Sequence, residues 1–284
     1  MVRVRSSMHG AVSIVNAIAT GRGATLGISL GIEAMIEAVP GRGIIFENKE
    51  SNLSSRLIRA VVETSVPRQE LEKNKLRITV NTEIPSGYGL KSSSAISSVI
   101  SLACAKIFKP KATDSEILRD GVQASIKSKV SITGAFDDAC GCYFGGFAVT
   151  DNTNIKIIKT EKAPEGLSAI IFIPKSRKRG NVKKLKILQN VFAQAWSLAN
   201  NSDYWNAMTL NGLATSSILG SDPRILTELM ESGALGASVS GNGPAIAAVA
   251  KNDRVSSVKK AFSSLDGSSI VSPINNQKAE VHEV

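Results

Sequence analysis

The sequence predicts an α+β fold. Strand-like and helix-like runs are mixed without a strict βαβ alternation, which points to α and β layers rather than a doubly wound parallel sheet. Apolar residues make up 43% of the 284, enough for a packed core in one large or two modest domains. The stretch Lys162-Ala163-Pro164-Glu165-Gly166 interrupts the pattern and divides the chain into 1–162 and 163–284.

Residues 1–46 read as strands with glycine turns at Gly21-Arg22-Gly23 and Gly41-Arg42-Gly43. A helix is expected from Asn52 to Thr64. Leu76, Ile78, Val80, Thr82 and Ile84 then alternate with Arg77, Thr79, Asn81 and Glu83, the period of a half-buried strand. Ile96, Val99, Ile100, Ala103 and Ile107 recur at helical spacing until Pro110 stops the pattern. Thr113 with Glu116 forms a capping-box pair ahead of a helix to about Lys127. Strands are expected around Gly145-Gly146 and over 155–158. The second half reads as a strand at 167–173, then helices near 184–200, 203–219 and 223–232. Strands at 236–240 and 245–250, a helix at 253–264 and a last strand near 268–272 follow, with His282 in a tail.

The chemistry concentrates between the half-buried strand and the helix after it, at Pro85, Ser86, Gly87, Tyr88, Gly89, Leu90, Lys91, Ser92, Ser93, Ser94 and Ala95. A loop there opens onto a helix N-terminus, where the first N–H groups lack intrahelical partners and the macrodipole is positive. Gly87 and Gly89 let backbone approach a ligand, and Ser92, Ser93 and Ser94 add hydroxyls. The pattern suits an anion, above all nucleotide phosphates, against the plainer alternative of a Gly/Ser turn with an ordinary cap. It is not a Walker A loop, because Leu90 precedes Lys91 where that motif needs glycine. It is not a Rossmann loop either, because Ser92 stands at the third glycine. A second glycine cluster, Ser240-Gly241-Asn242-Gly243-Pro244, lies between two short apolar runs and reads as a tight turn.

Together these segments resemble the GHMP kinases, the galactokinase, homoserine kinase, mevalonate kinase and phosphomevalonate kinase group. That family's phosphate loop, P-x-x-x-G-L-[GS]-S-S-[AS], matches here at Pro85, Gly89, Leu90, Ser92, Ser93 and Ser94, with Lys91 where most members carry glycine. Its glycine-rich C-terminal turn matches Ser240 to Pro244, in the S-G-x-G-P form frequent among homoserine kinases. Asp138 stands seven residues before the Gly145-Gly146 pair, in the run Thr133-Gly134-Ala135-Phe136-Asp137-Asp138. The resemblance makes Asp138 the candidate catalytic aspartate and Asp137 the reserve; one of the two could instead cap a helix. Within the superfamily, the stretch from His9 to Gly21, with its N-A-I-A-T-G run, is similar to the archaeal type of shikimate kinase. Mevalonate kinases carry P-G-K where this chain has His9, Gly10 and Ala11. The family glutamate that helps hold magnesium falls near 126–127, where no carboxylate is found.

The resemblance implies two domains with the active site in the cleft between them, ATP and Mg²⁺ as cofactors, and a small-molecule alcohol as acceptor. It implies transfer of phosphate from ATP to the 3-hydroxyl of shikimate, with homoserine phosphorylation as the alternative. The loop amides and the turn at Gly241 and Gly243 would hold ATP, and Ser93, or Ser92, would offer a hydroxyl to the metal. Asn16 and Thr20 are candidates for the ring hydroxyls, and Arg22, Arg177 and Arg179 for the substrate carboxylate, which favours a guanidinium fork.

Composition bounds the rest. No apolar run approaches the roughly 18–20 residues of a membrane span, and no secretory signal follows Arg3 and Arg5, so a cytoplasmic enzyme without a membrane partner is expected. Cys104, Cys140 and Cys142 are too few and too close for a disulfide framework or a zinc site. With His9 and His282 as the only histidines, no histidine triad is credible. The net charge of +10, with its richest run from Lys175 to Lys186, favours anionic ligands. Nucleic acid is the remote alternative and is not expected, because aromatics are 5% of residues and none lies in the basic run.

Overall fold

The computed structural model describes residues 1–47, 53–131 and 134–284, so Asn52 and Thr133 lie outside the described residues. Two antiparallel-rich sheets carry the fold. The first is built on β1 (Val2–Val15) and the long β2 (Arg22–Pro40), joined by the turn at Ala17–Gly21. β2 pairs with β1 along its length, with β4 (Asn74–Thr82) over residues 32–40, and with β5 (Phe147–Asp151) over residues 22–26. The short β3 (Gly43–Phe46) runs parallel to β4, and β6 (Lys156–Glu161) pairs with β5. The second sheet has the order β10-β7-β9-β8, from β7 (Leu167–Pro174), β8 (Gly236–Val239), β9 (Ile246–Lys251) and β10 (Gly267–Pro273).

The expected alternation in β4 holds: Leu76, Ile78 and Val80 are buried, while Arg77 and Asn81 face out. Helix α3 (Ser92–Phe108) differs from a one-sided surface helix. It packs on β1 and β2 beside α5 (Phe136–Phe144), while α1 (Ser55–Ser65) and α4 (Asp114–Lys127) close over it. Ser97, Ser98 and Ser101 are therefore as buried as Val99 and Ile100. The capping box on α4 forms: the Thr113 N–H donates to Glu116 Oε2 at 2.7 Å, and the Glu116 N–H donates to Thr113 Oγ1 at 3.4 Å. A short α2 (Arg68–Lys73) follows Pro67 and was not legible as a helix.

The second sheet is covered by α7 (Tyr204–Leu219), which also touches β1, with α6 (Gln189–Asn200) packed on it. Helix α8 (Arg224–Glu231) lies against β8, and α9 (Val255–Lys260) against β7 and β9. Two expected helices are shorter than their sequence pattern. A 3₁₀ turn at Val182–Leu188 precedes α6, and another at Asn252–Arg254 precedes α9. The tail containing His282 is ordered as β11 (Glu280–Glu283), an edge strand on β1 with Val4 opposite Glu283. Three charged or titratable side chains in four residues hid that strand from any hydrophobic period. No helix among the described residues is long and apolar enough to cross a membrane.

Candidate active site

The start of α3 has an unusual cap. Its N-cap residue is Lys91, in the left-handed conformation at φ 67° and ψ 19°, and no side chain caps the helix. By contrast Ser54 caps α1 and Thr113 caps α4. A helix start without a capping side chain leaves its first N–H groups to a ligand, and the dipole favours an anion there. Gly87, Gly89, Ser92, Ser93 and Ser94 line the cavity that these groups face, which holds about 350 Å³. The remaining loop residues work behind it. Leu90 and Ala95 are buried, and the Tyr88 carbonyl accepts from the Ala245 N–H at 3.2 Å.

The two glycine segments meet backbone to backbone. Gly89 has φ +86°, and a Cβ there would fall onto the Ser240 carbonyl oxygen; a Cβ on Gly241, at φ +55°, would lie 3.0 Å from the Gly89 oxygen. Only residues without a side chain permit that approach. The Ser240 hydroxyl donates to the Gly89 carbonyl at 2.9 Å, tying the turns together. Gly241 and Asn242 reach the cavity, whereas Gly243 supports the turn through its N–H to the Ser240 carbonyl at 2.8 Å.

Ser13, on β1, was not singled out in the sequence. Its buried hydroxyl accepts from Lys91 Nζ at 2.7 Å and from the Gly241 N–H at 3.0 Å, so it joins the phosphate loop to the second turn. A lone serine in a long strand carries no signal that would have marked it. Asn16 lines the cavity, but its amide is engaged: Nδ2 donates to the Gly241 carbonyl at 2.7 Å, and Oδ1 accepts from the Ile18 N–H at 2.9 Å. Its own N–H donates to Asn211 Oδ1 at 2.8 Å, from the fully buried side of α7.

Asp137 and Asp138 occupy the first turn of α5, and the structure gives them different surroundings. Asp138 Oδ1 lies 2.7 Å from Lys91 Nζ; the lysine side chain is 2% exposed and the aspartate side chain 20%. Asp137 is buried. Its Oδ1 accepts from Asn152 Nδ2 at 2.6 Å, its N–H donates to Asn152 Oδ1 at 3.1 Å, and its carbonyl accepts from Thr25 Oγ1 at 2.9 Å. Burial, with the Asp138 charge second, pushes the Asp137 carboxyl up to about 7, against opposing contributions from Lys91 and Asn152. The same burial raises the Cys140 and Cys142 thiols, which are inert packing groups. Paired carboxyls held in such unlike environments are the usual sign of divided roles.

Of the arginine candidates, Arg179 lines the cavity, together with Val182. It is set by Gly180, whose N–H donates to the Leu219 carbonyl at 2.9 Å. Arg177 instead lies over the Tyr88 ring, 5.0 Å from its centroid. Arg22 and Thr20 are outside the cavity wall. The Arg22 guanidinium sits 5.0 Å from the Trp196 ring and 3.9 Å from Asp151, and the Thr20 hydroxyl closes the turn onto the Arg22 backbone at 3.2 Å. Arg22 was a candidate for the substrate carboxylate and Thr20 for a ring hydroxyl, but neither lines the cavity that Asn16 lines. Near the position expected for a glutamate, the wall consists of Ser125, Val130 and Ser131.

The family model for the GHMP kinases N terminal domain matches residues 52–146, and that for the GHMP kinases C terminal domain matches 201–265. The chain belongs to the GHMP kinase family. Both family segments face the same cavity, one through α3 and α5 and the other through the turn at Gly241. A Methanosarcina mazei shikimate kinase is 38% identical over 279 residues, covering 95% of this chain and 94% of its own length. A Methanosarcina acetivorans shikimate kinase is 36% identical, covering 95% and 93%. Among solved structures, a homoserine kinase from Cytophaga hutchinsonii superposes with a TM-score of 0.75 over 99% of this chain and 97% of its own, at 18% identity, a likeness of fold alone.

Proposed function

We propose that this GHMP kinase transfers the terminal phosphate of ATP to the 3-hydroxyl of shikimate, releasing ADP and shikimate 3-phosphate. One observation carries the reading. The uncapped start of α3 and the Asp138 carboxylate open into one cavity, in a chain 38% identical along 95% of its length to a shikimate kinase. Phosphoryl transfer asks a protein mainly for positioning and charge stabilisation, and this cavity supplies both. The N–H groups at 92–94 and the backbone at Gly89 and Gly241 hold the phosphates. Asp138 orients the acceptor hydroxyl and takes its proton as the oxygen–phosphorus bond forms and the β,γ-bridging bond breaks. Asp137, held by Asn152 and buried, anchors the α5 turn that presents Asp138. Arg179 meets the substrate carboxylate, since it is the arginine candidate on the wall.

The cavity also fits Mg²⁺. This ion keeps most of its water and takes one or two protein oxygens beside the phosphates. The Ser93 hydroxyl and the Asp138 carboxylate are the donors at hand, and no group of three His, Cys, Asp or Glu side chains suited to a metal occurs among the described residues. When bound, the ion neutralises charge on the phosphates. We assign residues 1–162 to the domain bearing the phosphate loop and 163–284 to the one bearing the second turn, except that the edge strand β11 returns to the first sheet, and place the enzyme in the cytoplasm, acting on small molecules.

A coupled ADP assay with shikimate, homoserine and mevalonate at equal concentrations tests the proposal. Shikimate is expected to be turned over at least about a hundredfold more efficiently than the others, the scale set by one lost charged hydrogen bond. A preference for homoserine would overturn the substrate assignment.

A further inference from the structure

The side chain of Lys91 is almost wholly buried, yet it belongs to the cavity wall. Its backbone is left-handed at φ 67°, a conformation that costs every residue except glycine energy and is kept only where the surroundings enforce it. It occupies the N-cap of α3 without any acceptor atom to cap with. Neither helix capping nor turn geometry accounts for a lysine there. Its ammonium does: Nζ reaches Ser13 Oγ and Asp138 Oδ1, each at 2.7 Å.

A lysine ammonium has three N–H donors and, among the described residues, two protein acceptors here. One donor remains for a ligand oxygen in the cavity. Asp138 and residues 92–94 line the same cavity, where a terminal phosphate and an attacking hydroxyl would meet. Ser13 fixes the ammonium and is itself held by the Gly241 N–H, so three distant segments set one nitrogen.

We propose that Lys91 is a catalytic residue of this phosphoryl transfer. Its ammonium, 2.7 Å from Oδ1, holds the Asp138 carboxylate aimed, and its remaining N–H binds an oxygen of the phosphoryl group in flight. The hydroxyl proton goes to Asp138, the phosphoryl group moves from the β,γ-bridging oxygen to the substrate oxygen, and Lys91 stays protonated throughout. A fixed cation is most effective where charge develops in a water-poor site. The inference rests on the kinase reading above, and its test separates the two.

The test compares the parent with Lys91→Met, Lys91→Gly, Asp138→Asn and the Lys91→Met/Asp138→Asn double variant. Turnover is followed by ADP release, and binding of ATP by calorimetry. Lys91→Met and Lys91→Gly are expected to lose at least about a hundredfold in kcat while ATP affinity changes less than about tenfold, the scale of one removed electrostatic donor. Lys91→Gly relieves the left-handed backbone and so keeps the test valid if Lys91→Met folds poorly. The double variant is expected to be no more than about threefold slower than Asp138→Asn, because residues that act as a unit are non-additive. If either lysine variant keeps kcat within about threefold of the parent, or if the two losses multiply in full, the proposal is wrong. A parent that turns over no substrate would instead remove the kinase reading itself.

Discussion

Asp137→Asn separates the two carboxyls most sharply. The substitution mimics a protonated aspartic acid: its carbonyl can accept from Asn152 Nδ2 as Asp137 Oδ1 does, and its amide takes the place of the acid's O–H. The folded carboxyl is pushed up to about 7 by burial and by the neighbouring Asp138 charge, against an ordinary value of 3.8. The folded protein thus holds this proton to higher pH than the unfolded chain. Its contribution to stability is complete below about pH 4 and is lost as pH rises through about 7. Roughly two pH units of that window lie above pH 5, and each unit is worth about 1.4 kcal/mol, so the parent should lose on the order of 3 kcal/mol relative to the variant between pH 5 and 8. Urea unfolding of both proteins at intervals of one pH unit measures this difference directly, with every other titrating group common to the pair. The variant should keep kcat within about tenfold, because we assign the proton transfer to Asp138. Parallel stability curves would show that the buried carboxyl holds no extra proton. Abolished turnover with intact folding would exchange the two roles.

Three further outcomes follow from the same geometry. Asp138→Asn should lower kcat by at least about a hundredfold with ATP binding kept, and near-normal ADP release would move the base to Asp137. Ser93→Ala should raise the KM for Mg·ATP more than that for shikimate, since Ser93 lines the cavity in the first turn of the helix to which we assign the phosphates; equal effects on both substrates would count against a metal contact. Arg179→Met should raise the KM for shikimate about 10- to 100-fold with a much smaller change in kcat, the scale of a charged hydrogen bond. An unchanged KM, measured under initial-rate conditions, would return the carboxylate to Arg22 or Arg177.

What the sequence showed and what it hid divide along one physical line. Features set by neighbours in the chain were legible: the capping box at Thr113 and Glu116, the alternation in β4, the glycines at 87 and 89, and the turn at 240–244. Features set by packing between distant segments were not. Asp137 and Asp138 are adjacent in the chain and both line the cavity, but on a helix adjacent residues point about 100° apart, so their carboxyls meet different neighbours. Which neighbours those are depends on where α5 begins, at Phe136, and on Asn152, which stands just past β5 and holds Asp137. Neither is a local property. Ser13 and Asn211 are hidden for the same reason, since each acquires its partners from another part of the fold.

Lys91 belongs to neither class. It was visible as a departure from an otherwise well-matched loop, at a place where glycine suits the backbone better. A sequence normally agrees with its fold at every level, and it departs from local preference mainly where something else is selected. Here the local preference is for a residue without a side chain, and the structure shows what the lysine supplies in its place: an ammonium 2.7 Å from the Asp138 carboxylate on the cavity wall. The least comfortable residue of the loop is therefore the one that joins the start of α3 to the Asp138 carboxylate.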